Sequence, residues 1–322
     1  MEKRFVLPFI VSLVSAWAVP AAAQDWPTKP VRLISPFPPG GGTDLVARLL
    51  QPKLIESLGQ QFIVENKTGA GGVVGIDYAS KSPPDGYTVL IANNTVVTAP
   101  ATEKVPYDAI KDFAPVTGVG STAVALAVHP SFPANSVAEL LAMARAQPGK
   151  LSYSSCGTGS AMHLAGELFK FVAKVDIVHV PYRGCGPAIA DGVAGHVPIL
   201  FNTITNTGAQ ARNGKLRVLA LASPTRSPVD KAIPVISESA GFEGYDADIW
   251  FGVLLPAGTP QPIIAKLHAA VAAAMVSADV RPKLEAQAFN VQVTAPEEFG
   301  AMIKTDYARW IKLVKDAKIK SE

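Results

Sequence analysis

The stretch from residue 31 to residue 50 restricts the possible folds more than any other part of the chain. Its apolar start, residues 31–34, has the length of a short buried strand, and residues 36–42 then bring three prolines and three glycines. Thr43 or Asp44 can cap the helix that follows, because apolar residues recur there every three to four positions. A strand, a glycine loop and a helix N-terminus together offer unpaired N–H groups to an anion. The stretch therefore predicts a ligand loop, with a plain tight turn as the alternative.

Strand and helix patterns alternate along most of the chain, and this order produces parallel sheets covered by helices. A chain of 322 residues is longer than a single core usually supports, so two domains are expected. We therefore predict an α/β fold with two doubly wound lobes joined by two crossings. The first lobe is expected to comprise residues 24–122 and 226–322, and the second residues 123–225, with one strand at 122–128.

The first 23 residues have the pattern of a secretory signal peptide. Lys3 and Arg4 precede an apolar run at residues 5–19, and the three alanines at 21–23 fit a cleavage site. No later segment is apolar over the roughly 18 residues that a membrane-spanning helix needs. The mature protein is therefore expected to be exported to the periplasm.

Charge and loop composition argue against several classes of function. The formal net charge is only +3 and no basic run occurs, which argues against a nucleic-acid partner. The first glycine loop has neither the lysine of a P-loop nor Gly-x-Gly-x-x-Gly spacing, which argues against nucleotide binding. No cofactor is therefore expected.

A few side chains leave other chemistry open. His163 and Glu167 lie four residues apart on one predicted helix face, where they could bind a metal. No His-Glu-x-x-His motif accompanies them, and a buried polar contact explains the spacing better, so no metal is expected. The alternative function is a secreted hydrolase or lyase acting on a small carboxylate, with a serine, Cys156 or Cys185 as nucleophile. We expect a binding protein without catalysis.

Ligands of doubly wound sheets bind beyond the carboxyl ends of the strands. The loops predicted at those ends are rich in glycine, amide and hydroxyl groups, and they contain one guanidinium, that of Arg183. Such loops suit a small carboxylate, because each hydrogen bond to a charged group contributes about 1.5–3 kcal/mol. Their position in the fold predicts ligand contacts from Pro39, Gly41, Gly69, Asn93, Gly159 and Asn202.

Several motifs resemble those of one known family. They are PFPPGGGTD at residues 36–44, ENKTGAGG at 65–72, VPYRG at 180–184, and shorter matches at 107–113, 148–151, 163–167 and 250–260. As a set they resemble the Bug family, the periplasmic receptors of tripartite tricarboxylate transporters, over essentially the whole mature chain. The resemblance implies a type II periplasmic binding-protein fold. It also implies a monomeric receptor that binds a small carboxylate in its cleft and delivers it to integral-membrane permease subunits.

Members of this family hold a ligand carboxylate between the first glycine loop and loops of the second lobe. The resemblance implies that the contacts in this chain come from Phe37, Gly40, Thr43, Asp44, Ser155, Thr158, Ser160, Tyr182 and Arg183. Residues 233–238 depart from the family pattern, but they lie in a predicted connector. The two cysteines inside the ligand loops leave the identity of the carboxylate open.

Cys156 and Cys185 each follow a predicted strand of the second lobe. Consecutive strands of a βαβ unit are usually neighbours, so the two loops should lie side by side. An exported protein enters an oxidising compartment, where nearby thiols rarely stay free. We therefore predict a disulfide; the alternative is two small residues of the cleft that never meet.

Overall fold

The computed structural model describes residues 26–227 and 229–319, so the predicted signal peptide at residues 1–23 lies outside the described residues. The described elements form two β-sheets flanked by helices. The first elements in chain order are β1 (Val31–Ser35), α1 (Gly42–Leu58), β2 (Phe62–Asn66), α2 (Val73–Ser80), β3 (Thr88–Asn93), α3 (Thr95–Thr102) and β4 (Phe113–Thr122). They are followed by β5 (Val124–Val128), α4 (Val137–Ala146), β6 (Ser152–Ser155), α5 (Ala161–Ala173), β7 (Val178–Pro181), α6 (Cys185–Ala194), β8 (Ile199–Thr203), α7 (Ile204–Arg212) and β9 (Arg217–Leu221). The last elements are β10 (Ile249–Pro256), α8 (Gln261–Met275), α9 (Arg281–Glu285), β11 (Phe289–Val291) and α10 (Pro296–Asp316).

The two sheets have different members and define two lobes. The first sheet has the strand order β11-β4-β10-β3-β1-β2, and the second has the order β7-β6-β8-β5-β9. We call the first sheet with its helices the first lobe, and the second sheet with its helices the second lobe. The predicted α/β class with two lobes is confirmed, whereas the domain boundaries given above remain predictions.

Only part of each sheet is parallel. β1 runs parallel to β2 and β3, and β6 runs parallel to β7 and β8. β10 is antiparallel to β3 and β4, and β5 is antiparallel to β8 and β9. The prediction of parallel sheets is therefore wrong for these strands. β5 and β10 are the strands by which the chain arrives from the other lobe. Each therefore enters its sheet in the opposite direction.

The strand predicted at residues 122–128 is in fact the junction of two strands. β4 ends at Thr122 in the first sheet and β5 begins at Val124 in the second, so the chain crosses between the lobes at Ala123. The first part of β4 is not predicted, because Pro115, Gly118 and Gly120 interrupt its apolar pattern. Gly120 has φ +137°, and a Cβ atom there would clash with the backbone of β11, so this position requires glycine.

The connector between β9 and β10 packs against the second lobe for most of its length. Val235 forms a parallel bridge with Leu221 of β9. The ring of Phe242 stacks on Phe169 of α5 with centroids 5.1 Å apart, and the Tyr245 hydroxyl donates to the carbonyl oxygen of Ala165 at 2.6 Å. The chain therefore stays with the second lobe until just before β10.

The central strands are buried throughout. Every residue of β3, β5, β8 and β10 is buried, which is typical of strands covered on both faces by helices. Such strands hold the loops at their ends in fixed positions. Among the described residues, no helix has both the length and the apolar composition needed to cross a bilayer.

Candidate ligand-binding site

A cavity of about 270 Å³ lies where the end of β1 in the first lobe faces the end of β8 in the second. The first lobe lines it with residues 37–43, Asn93 and Phe251. The second lobe lines it with Met162, Cys185, Gly186, Ile189 and, on and just before α7, Thr203, Thr205, Asn206 and Gln210. None of these described lining residues carries a charged side chain. The cavity thus occupies the place expected for ligands of doubly wound sheets, and its polarity comes from backbone, amide and hydroxyl groups.

The N-terminus of α1 opens into this cavity without a cap from any side chain. Gly41 is its N-cap residue, with φ −80° and ψ 171°, and it offers no side chain to the first turn. The N–H groups of Gly42 and Thr43 have no hydrogen-bond partner among the described residues. They are therefore available to an anion, together with the positive end of the helix dipole.

Asp44 organises this loop, because both of its carboxylate oxygens are hydrogen-bonded within the first lobe. Its Oδ2 accepts hydrogen bonds from the Gly40 N–H and from Arg48 Nε, both at 2.9 Å, and its Oδ1 accepts one from Asn66 Nδ2 at 2.9 Å. Burial alone would raise the pKa of Asp44, but the bonds from Arg48, Gly40 and Asn66 outweigh it and hold the pKa below its usual range. The carboxylate is therefore charged and fully engaged within the first lobe.

The N-terminus of α6 faces the cavity from the second lobe, again without a side-chain cap. Its N-cap residue is Gly184, with φ +115°, a value that favours glycine. A Cβ atom at Gly184 would lie 3.3 Å from the ring of Pro38, so this helix end touches the first ligand loop. A Cβ atom at Gly186, in contrast, would meet open space. The two helix ends therefore approach one another across the cavity.

The predicted disulfide is confirmed and lies at this helix end. Cys185 is the first residue of α6, and its sulfur is bonded to that of Cys156, with Cα atoms 4.3 Å apart. β6 and β7 are neighbours, as the prediction required. The Gly184 N–H also donates to the carbonyl oxygen of Cys156 at 3.1 Å. The loop after β6 thus fixes the start of α6, and neither sulfur is available as a nucleophile.

Two other helix ends near the cavity are already capped. Ser160 Oγ accepts from the His163 N–H at the start of α5, at 3.3 Å. Thr203 Oγ1 accepts from the Asn206 N–H at the start of α7, at 3.2 Å. α1 and α6 differ from these two helices, because their first N–H groups have no side-chain partner and remain available to a ligand.

The remaining predicted residues fall into two groups. Gly69, Thr158, Tyr182 and Arg183 line a second cavity of about 580 Å³, on the other side of Phe37 and Pro38. Arg183 is exposed there, and the Tyr182 hydroxyl donates to Asp191. Glu103 also lines this second cavity, and burial raises its pKa. The predicted contacts that line a cavity are therefore divided between two cavities.

The second group lines neither cavity and supports the loops through contacts with protein atoms. It comprises Ser155, Gly159, Ser160 and Asn202. Ser155 is fully buried, and its Oγ lies 2.7 Å from His179 Nε2. The carbonyl oxygen of Gly159 accepts a hydrogen bond from the first lobe. Asn202 is likewise fully buried, between α6 and α7. Their role as direct ligand contacts remains a prediction, and in the structure each is engaged with protein atoms.

His163 and Glu167 form buried polar contacts, which is the interpretation that their spacing in the sequence favours over a metal site. The His163 ring stacks on His179 at 4.1 Å, and its Nδ1 accepts from the Gly159 N–H at 3.2 Å. Burial lowers the pKa of His163 to about 4 and that of His179 to about 2, so both rings are neutral at physiological pH. Glu167 accepts from the Tyr153 hydroxyl and from Lys170. No cluster suited to a metal ion occurs among the described residues.

Several lining residues were not predicted, although their spacing in the sequence indicates some of them. Asn206 and Gln210 are spaced by four residues, so a helix over this stretch puts both on one face. Phe251 and Met162 could not be assigned this way, because they reach the cavity only through the pairing of β10 and the start of α5.

The fold and cavity together define a class of protein. A two-lobed α/β structure with a ligand-sized cavity between the lobes is the architecture of a solute-binding protein. Residues 46–319 match the family model described as "Tripartite tricarboxylate transporter family receptor", and the chain belongs to this family. Protein BugT of Bordetella pertussis is 35% identical over 308 residues, covering 94% of this chain and 94% of BugT. The resemblance to the Bug family is therefore confirmed.

Solved structures support the same assignment. MatC from Rhodopseudomonas palustris, solved with bound malate, is 32% identical and superposes with a TM-score of 0.85, over 90% of this chain and 100% of MatC. A second R. palustris protein, solved with adipate, is 34% identical with a TM-score of 0.87, over 92% of this chain and 99% of that chain. The family thus includes proteins that hold small carboxylates.

Proposed function

We propose that this protein is a periplasmic receptor that binds a small carboxylate in the 270 Å³ cavity between its lobes and delivers it to the permease subunits of a tripartite transporter. The observation that carries the proposal is the pair of uncapped helix ends. α1 from the first lobe and α6 from the second both begin with a glycine N-cap and both open into this cavity.

A carboxylate supplies what the two helix ends lack. Its oxygens can accept hydrogen bonds from the N–H groups of Gly42 and Thr43 on one side and of Gly186 on the other. Each helix end carries the equivalent of about half a positive charge, so two of them can neutralise one carboxylate without any lysine or arginine. The malate and adipate held by the two relatives are anions of this kind.

The state of the candidate nucleophiles supports a receptor and argues against an enzyme. Cys156 and Cys185 are bonded to each other, and Ser155 is fully buried beside a neutral histidine. A cysteine- or serine-dependent hydrolase needs an accessible nucleophile next to a base. We therefore propose that the protein is non-catalytic. We also propose that it is a monomer and works in the periplasm after export.

A thermal-shift panel tests the proposal. The purified protein is screened against small carboxylates, neutral sugars and organic cations at equal concentration. A ligand present at a hundredfold excess over its Kd stabilises the folded state by about 2.7 kcal/mol, so true ligands give clear shifts. We expect the hits to form one chemical cluster of carboxylates. Hits among sugars or cations, or none among carboxylates, would contradict the proposed function.

A further inference from the structure

We infer that Asn206 accepts a hydrogen bond from the ligand and that the preferred ligands are carboxylates bearing an uncharged hydrogen-bond donor, a hydroxyl group above all. The inference rests on the proposed function, since it assumes that a carboxylate occupies the ends of α1 and α6. It concerns the other side of the same cavity, where α7 lines the wall with Asn206 and Gln210.

The orientation of the Asn206 amide follows from a chain of hydrogen bonds that starts at the backbone. The Thr203 N–H can only donate, and it donates to Asn202 Oδ1 at 2.9 Å. Asn202 Nδ2 points the other way and donates to the carbonyl oxygen of Cys185 at 3.5 Å. Asn202 Oδ1 also accepts from Asn206 Nδ2, at 3.1 Å. One N–H of the Asn206 amide is therefore engaged with Asn202, and its oxygen accepts from no described residue.

This free oxygen is an acceptor on the cavity wall. Asn206 lines the cavity, and among the described residues no group donates to its Oδ1. A carboxylate oxygen at this position would face it acceptor to acceptor, whereas an O–H or N–H group would pair with it. Gln210, one turn further along α7, offers both a donor and an acceptor and so excludes neither kind of group.

The charge of the wall favours a neutral donor over an ammonium group. None of the described lining residues has a charged side chain, so an ammonium group would lie in the cavity without a carboxylate partner. A buried charge without a partner is costly, while a hydroxyl needs only the hydrogen bond that Asn206 accepts. The cavity wall therefore favours a hydroxycarboxylate over the analogue without the donor and over the amino analogue.

Matched ligands test this ranking by calorimetry on the full mature chain. The probes are malate, succinate and aspartate, and lactate, propionate and alanine, each chiral compound as both enantiomers. In the series that binds, the hydroxy compound is expected to bind at least about tenfold more tightly than its analogue without the donor, the usual effect of one hydrogen bond that is otherwise left unpaired. The amino compound is expected to be no better than that analogue.

Two substitutions assign the preference to Asn206. Asn206→Ala removes the acceptor, so the preference for the hydroxy compound should fall to about threefold or less. Asn206→Asp keeps an acceptor and adds a negative charge, so the amino compound should gain about tenfold relative to the hydroxy compound. Asn213→Ala, at the exposed end of the same helix, is the matched control and should keep the wild-type ranking.

The outcomes separate this inference from the proposed function. If a carboxylate without any donor binds as tightly as its hydroxy analogue, or if Asn206→Ala keeps the wild-type preference, the inference is wrong while the proposed function stands. If no carboxylate in the thermal-shift panel or these series binds, both are wrong. A melting temperature close to wild type in each variant shows that the changes arise in the site and not from misfolding.

Discussion

Thr98 on α3 of the first lobe donates a hydrogen bond from its Oγ1 to the carbonyl oxygen of Gly159 in the second lobe, 2.8 Å away. Both partners are shielded from solvent, and a Cβ atom at Gly159 would lie only 3.2 Å from the backbone of Ala99. A further bond between the lobes joins the hydroxyls of Thr122 and Thr205 at 2.9 Å. Thr122 adjoins the crossing at Ala123, so its bond stays near the junction of the lobes. We expect the Thr98 contact to form when the lobes close around a ligand.

Thr98→Val should therefore weaken ligand binding more than it weakens the fold. The change leaves the Gly159 carbonyl without a partner on closure, a loss of about 1–3 kcal/mol, or roughly fivefold or more in Kd. Calorimetry gives the affinity, and small-angle scattering with ligand gives the degree of closure. Thr305→Val is the control, because its hydroxyl bonds only to Ala301 within α10. Equal Kd values for wild type and Thr98→Val would show that this contact does not support closure.

Gly186→Leu should abolish binding while the protein stays folded. A side chain at this position meets open space within the cavity, and leucine favours a helix more than glycine does, so the melting temperature should not fall. The added side chain excludes the carboxylate from the end of α6. Gly208→Leu, on α7, is the matched control, since a Cβ atom there meets only the flexible end of Arg212 at 3.4 Å. Titration calorimetry on both variants decides whether the cavity holds the ligand.

Reduction of the Cys156–Cys185 bond should lower both stability and affinity. The two residues are 29 positions apart, and a cross-link of this size contributes about 2–4 kcal/mol to the free energy of unfolding. Affinity should fall as well, because the bond fixes the first residue of α6 next to the ligand. Differential scanning calorimetry with and without reductant measures the first effect and ligand titration the second. A double Cys→Ala variant should show the lower values in both conditions, and a reductant effect on that variant would point to another cause.

Asp248 should make the protein less stable as the pH rises towards 8. Its Oδ2 accepts from Ser223 Oγ at 3.1 Å, while its Oδ1 is buried and has no partner among the described residues. Burial, with a smaller contribution from Asp246, raises the pKa of Asp248 to about 7. A carboxyl group whose pKa is higher in the folded state stabilises that state below the unfolded pKa, and this stability is lost as the pH rises through 7.

Asp248→Asn keeps the shape of the side chain and removes the titration. The stability of the variant relative to wild type should therefore increase as the pH rises from 5 to about 7, by about 1 kcal/mol for each pH unit, and level off above that. Urea denaturation at several pH values measures the difference, and comparison within each pH cancels the opposite contribution of His163 and His179. A difference that does not change with pH would mean that Asp248 keeps an ordinary pKa.

The sequence predicted the parts of the site that depend on local structure. The proline and glycine loop before α1 can be recognised from residues 36–42, because proline and glycine restrict or free the backbone wherever the rest of the chain lies. The disulfide followed from the neighbouring positions of β6 and β7. Both predictions needed only short segments and the ordinary rules of βαβ units.

The sequence does not predict which polar side chains remain free and which are hydrogen-bonded to other parts of the protein. Asp44 looks like a ligand contact, yet Arg48 and Asn66 occupy its oxygens, and this needs the pairing of β1 with β2. Ser155 likewise looks available, but the pairing of β6 with β7 brings His179 onto its hydroxyl. Which polar groups remain free is decided by contacts between distant segments, and a local pattern does not contain them.

The glycine caps of α1 and α6 also govern the protein when no ligand is bound. Each cap leaves a positive helix end bare, and the two ends belong to different lobes. When the lobes of an unloaded receptor approach, these like charges repel one another in a cleft that is losing water. A bound anion attracts both positive helix ends, and this attraction replaces the repulsion between them. We therefore propose that the ligand acts as the counter-ion of both helix ends and so favours closure of the lobes.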